Sequence, residues 1–141
     1  MLNRNGSTAA TVPSPQSTLQ SLCDEVKKME MGDIMACYAV SKDGVLLGAS
    51  YGEWLPKDQQ LKDDFSRVVS TVWAGLDRAT GIGGPLGKAV IAYENFKLVG
   101  FPMEGTNMAI LLTVEIKLDS DVLRGRVHDF VSYWLKVNHW V

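Results

Sequence analysis

The chain has 141 residues, room for one domain of ordinary size, and 46% are hydrophobic against 21% charged, the balance of a folded globular protein. With 14 Lys+Arg against 16 Asp+Glu the net charge is -2, and no run of basic residues occurs, which argues against nucleic acid as a partner. No apolar stretch approaches the roughly 20 residues of a membrane helix; the longest, Met108 to Val114, has the length of a strand.

Residues 1–17 read as a disordered tail: small, polar, punctuated by Pro13 and Pro15, and without the apolar core of a signal peptide. Cytoplasm is the expected compartment. The folded domain is expected over 18–137, with 138–141 as a C-terminal tail. The first helix carries Leu19, Leu22, Cys23, Val26 and Met29 at helical spacing, and Gly32 supplies a stop. Cys23 and Cys37 are expected to be buried free thiols rather than a disulfide or redox pair.

Two apolar runs follow, Ile34 to Val40 and Val45 to Ala49, joined through Asp43-Gly44, a strong hairpin signal. Neither alternates cleanly, so both faces of the sheet are expected to be partly covered. The strongest helix spans Lys57 to Thr80. Its apolar stripe is Leu61, Phe65, Val68, Val69, Val72, Trp73 and Leu76, with Asp63, Arg67, Ser70, Ala74 and Arg78 opposite. Pro56 suits its start, and Gly81, Gly83 and Gly84 end it. Three strands come next, Lys88 to Tyr93, Lys97 to Phe101 and Met108 to Glu115. Their connections are too short for parallel crossovers, so they are antiparallel. A last helix runs from Ser120 to Val137, capped by Asp119 or Ser120. The order α-β-β-α-β-β-β-α predicts an α+β fold, a five-stranded antiparallel sheet flanked by helices.

Sites of chemistry are hard to find in these residues. Gly81 to Lys88 invites a phosphate-loop reading, but Ile82 stands where the first glycine belongs and Ala89 where Ser or Thr must hold magnesium. The dinucleotide fingerprint fails too, because Leu86 replaces its third glycine. His128 and His139 are the only histidines, and neither they nor the cysteines have metal-ligand spacing. Asp63-Asp64 and Asp119 with Asp121 lie at helix starts, where negative charge complements the helix dipole. The expectation is no catalytic residue, no metal and no cofactor: not an enzyme. Trp54, in the loop between hairpin and helix, is a candidate contact residue.

The Asp43-to-Ser50 hairpin, the segment Val69-Ser70-Thr71-Val72-Trp73-Ala74-Gly75-Leu76-Asp77-Arg78 and the three close strands together resemble the roadblock/dynein light chain (roadblock/LC7) family, over residues 19–136. The N-terminal tail and the Tyr51 to Gln60 loop depart from its pattern. The resemblance implies a profilin-like fold and a dimer, either of this chain with itself or with a related roadblock subunit, pairing through the second helix and the strand after it. Phe65, Val69, Trp73 and Leu76 would then meet the partner, with Ala89, Val90, Ile91 and Ala92 as the shared edge. An apolar edge strand is an aggregation hazard unless paired, which agrees with that assignment. The resemblance further implies a regulator or scaffold of a Ras-like small GTPase, presenting Asp63, Arg67, Ser70, Arg78 and Trp54 to it.

Two other readings compete. A profilin-like or longin-like monomeric interaction module would use the aromatics Tyr133, Trp134 and Trp140 near the C-terminus. A small-ligand sensor would hold a pocket between sheet and helix.

Overall fold

A computed structural model describes residues 15–29, 34–52 and 59–140. Helix α1 (Pro15–Lys27) is followed by strands β1 (Ile34–Ser41) and β2 (Leu46–Tyr51) and by the long helix α2 (Gln59–Asp77). A single turn, α3 (Thr80–Gly83), leads into β3 (Ala89–Ala92), β4 (Phe96–Met103), β5 (Met108–Glu115) and α4 (Ser120–Val137). The expected element order holds, with α3 added where the glycines suggest only a stop. Helix α1 begins earlier than the expected boundary, at Pro15, because proline in a first turn gives up an N–H that no helix carbonyl would accept.

The strands form one antiparallel sheet in the order β2-β1-β5-β4-β3. One face carries α1 and α4 over a core that includes Leu22, Cys23, Cys37, Phe101, Ile110, Leu112 and Val131. The other carries α2, whose Val69 and Trp73 pack on Tyr38, Val40, Leu98 and Leu111. Burial on both faces explains why β1 and β5 read as continuous apolar runs rather than alternating ones. Both cysteines are buried and free, and burial pushes the Cys37 thiol up from its ordinary value.

Asp119 caps α4, accepting hydrogen bonds from the backbone N–H groups of Asp121 and Val122 at 2.9 and 3.1 Å. The segment after Val137, expected to be a tail, is folded through Trp140. His139 takes a left-handed conformation (φ 61°), and its N–H donates to the Lys136 carbonyl while that of Trp140 donates to Leu135. This is a Schellman turn. It brings Trp140 against the α1–α4 core.

Candidate association surface on helix α2 and strand β3

Helix α2 sorts its side chains into three rows, since successive residues turn by about 100° around the axis. Val69 and Trp73, 0% and 1% exposed, are spent on the chain's own core and are therefore not free for a partner, contrary to the sequence-based expectation. Phe65 is half-buried in an aromatic group with Tyr38 and Phe96. The apolar residues that do face outward are Val68, 46% exposed, and Leu76, 37% exposed, with half-buried Val72 between them. Asp64, Arg67, Val68, Thr71 and Val72 line a shallow hollow of about 410 Å³ on this side.

The small-residue row faces the β1–β2 hairpin. Gly44 in that turn has φ +86°, and a Cβ there would lie 3.0 Å from the Ala74 Cβ and 3.1 Å from the Ser70 carbonyl oxygen. That close approach buries Ser70 at 6% exposure, and its hydroxyl donates back to the Arg67 carbonyl at 3.1 Å. Ser70 is thus withdrawn from the surface on which it was expected. Asp63, Arg67 and Arg78 remain exposed along the adjacent row. Arg67 pairs with Asp64 at 3.3 Å, and Asp64 also accepts from Gln60 at 2.9 Å. Exposed pairs of this kind orient side chains and add little stability. Trp54 lies outside the described residues.

Strand β3 is an edge of the sheet. Tyr93 donates its N–H to the Phe96 carbonyl at 2.8 Å, so the alternation of an antiparallel ladder makes Ile91–Leu98 and Ala89–Gly100 the hydrogen-bonded pairs. Val90 and Ala92 therefore turn their N–H and C=O groups away from β4. Val90 is 43% exposed. Ala89 and Ile91 point the other way, into the seam beside Val72 and Leu76, which makes the outward row of α2 continuous with the strand.

The seam between α2 and the sheet, where a sensor would hold its ligand, encloses only about 10 Å³, the space of one water at most. Tyr38, Trp73 and Thr113 bury polar atoms on that face with no hydrogen-bond partner among the described residues. Burial keeps the Tyr38 hydroxyl protonated well above its ordinary range; the neighbouring Thr113 hydroxyl offsets part of this without meeting hydrogen-bond geometry. Among the described residues no three potential metal ligands cluster, and no helix is long and apolar enough to cross a membrane.

No protein-family model and no curated protein matches the sequence. Solved structures do. A roadblock/LC7 domain from Streptomyces avermitilis superposes with a TM-score of 0.65 at 14% identity, over 86% of this chain and 98% of that one. The chain has the roadblock/LC7 fold. The gliding protein MglB from Thermus thermophilus gives 0.62 at 14% identity, over 89% and 94% of the two chains. An MglB with a tetrameric arrangement gives 0.63 at 14% identity, over 91% and 95%. The roadblock fold matches the element order and the five antiparallel strands derived above.

Proposed function

We propose that this chain is a non-catalytic, dimeric platform that pairs through α2 and β3 and offers its exposed α2 charges to a Ras-like small GTPase. The observation that carries the pairing is the coincidence of an open strand edge with an apolar helix row. Ile91 is level with Leu98, Thr113, Ala36 and Tyr51 across the sheet, and the Tyr51 hydroxyl hydrogen-bonds Ser66 on α2. One step along, Ala89 pairs with Gly100, against which the Trp73 ring lies. The middle of β3 is therefore level with the stretch of α2 that holds Val68 and Val72.

A two-fold axis through the middle of β3 would join both features at once. The outward groups of Val90 in each copy would pair with those of Ala92 in the other, and the Val68–Val72 rows would meet above them. The partner is a second copy or a related roadblock subunit. The tetrameric MglB supports self-association in a protein of this fold.

Asp63 and Arg78 lie on the row of α2 away from β3, so a partner engaging them does not compete with pairing, while Arg67 stands at the rim of the hollow that Val68 and Val72 line. The GTPase assignment rests on the resemblance in the hairpin and second-helix segments. Such a platform biases the switch loops of the GTPase or localises it, and needs no catalytic group of its own. The test is a pull-down of small GTPases, in each nucleotide state, with wild type and Arg67→Glu. Arg67→Glu should lose most of the binding while keeping the dimer mass and the melting temperature. Unchanged binding would remove Arg67 from the interface; no binding by wild type would remove the GTPase reading.

A further inference from the structure

The two edges of this sheet are built differently. On β2, the Gly52 N–H donates to the Met35 carbonyl at 2.8 Å, which sets the parity of the β1–β2 ladder. Cys37–Ser50 and Ala39–Gly48 are then the hydrogen-bonded pairs, and Ala49, opposite Tyr38, turns its N–H and C=O outward. Left alone, these groups would accept another strand, as those of Val90 and Ala92 can.

They are already taken. The Ala49 N–H donates to Oε1 of Gln20 on α1 at 3.1 Å, and Nε2 of Gln20 donates to the Ala49 carbonyl. A residue in an antiparallel ladder exchanges one N–H and one C=O with its neighbour, so the primary amide of Gln20 supplies what a further strand would. Asp24, one turn further along α1, accepts from the same Nε2 at 3.4 Å and fixes which way the amide faces. Gly48 gives the helix its reach. A Cβ there would sit 3.1 Å from the Gln20 nitrogen and from the Leu19 carbonyl carbon and oxygen, so α1 lies against the strand because that residue has none.

We propose that Gln20 is a strand-mimicking cap that closes the β2 edge against β2 of a second copy. Self-assembly is thereby confined to β3 and stops at two chains. The stop at two rests on the pairing proposed above; the cap itself does not. With both edges open, two-fold contacts would alternate between β3 and β2, and the sheet would grow from dimer to dimer as a filament.

Gln20→Met keeps the side-chain length and the helix preference and removes the amide. Light scattering over a wide concentration range should show wild type levelling off at the dimer and Gln20→Met passing it by about twofold or more, as dimers join. In dilute Gln20→Met the Ala49 amide should exchange about tenfold faster than in wild type, the loss of one intramolecular hydrogen bond. Gln20→Glu leaves an acceptor for the Ala49 N–H but sets a charge on the edge, so it should stay dimeric. A folded Gln20→Met with unchanged mass at every concentration overturns the proposal, whatever its exchange rate. Should Gln20→Met not fold, wild type decides alone: rapid exchange of the Ala49 amide overturns the cap and slow exchange supports it. A monomeric wild type beside a self-associating Gln20→Met supports the cap and refutes pairing through β3.

Discussion

Replacing Val68 by aspartate is the sharpest probe of the proposed pairing, because the residue sits on the outward row of α2 and owes little to the fold of its own chain. Val68 is 46% exposed in the single chain. Burying a whole valine side chain is worth about 1.5–3 kcal/mol, so closing the exposed half contributes about 1 kcal/mol per copy and about 2 kcal/mol across a two-fold contact. Losing that alone weakens association by about thirtyfold. The new carboxylate adds to the loss. It falls one turn from Asp64, and near the axis it faces its own symmetry mate, so like charges are desolvated together. Sedimentation velocity at micromolar protein should find Val68→Asp monomeric where wild type is dimeric, with a thermal midpoint for the isolated chain within the range of a surface change, about 0.5 kcal/mol. Val122→Asp, on the exposed side of α4 and 57% exposed, is the matched control and should remain dimeric. If Val68→Asp dimerises as tightly as wild type, the apolar row of α2 is not the contact and the two-fold arrangement is wrong.

Other predictions address the single chain. Tyr38→Phe removes a buried hydroxyl that has no hydrogen-bond partner among the described residues and should raise stability by about 1 kcal/mol in urea unfolding, rather than lower it. His139→Gly relieves a left-handed side chain at the end of α4 and should stabilise by about 0.5–1 kcal/mol, read as an upward shift of the thermal midpoint. Gly48→Ala forces the α1 backbone away from β2 and should cost about 1–3 kcal/mol, with the Ala49 amide losing protection in hydrogen exchange.

Elements with strong local signals were legible in the sequence. The bounds of β5 and α4 follow from a continuous apolar run and an aspartate cap, and Asp43-Gly44 places the first hairpin. Strand order was not legible, since the pairing of β1 with β5 depends on contacts between distant segments that no local pattern encodes. The stripe on α2 misleads for a related reason. Val68 and Val69 look alike in sequence, and only the position of the sheet decides that one is core and the other surface. Ser70 reads as solvent-facing because it is polar, yet a small hydroxyl bonded to its own helix is what the close turn at Gly44 requires. Gln20 gives no signal at all: glutamine on a helix is ordinary until the strand edge beside it is known.

Placing β1 and β5 together at the centre of the sheet also orders the events of folding. The β3–β4 and β4–β5 hairpins close short loops and can form within microseconds, as can the β1–β2 hairpin. Joining the two sets brings Ala39 beside Ile110, a closure that spans half the chain and must be completed before most of the core is worth anything. Until β5 has been synthesised, the inner edge of the β1–β2 hairpin has no neighbour, and its apolar faces stay open to solvent. The N-terminal half is thus committed to waiting for the C-terminal half, and until then its unpaired inner edge is the part of the chain most open to association with other unfinished chains.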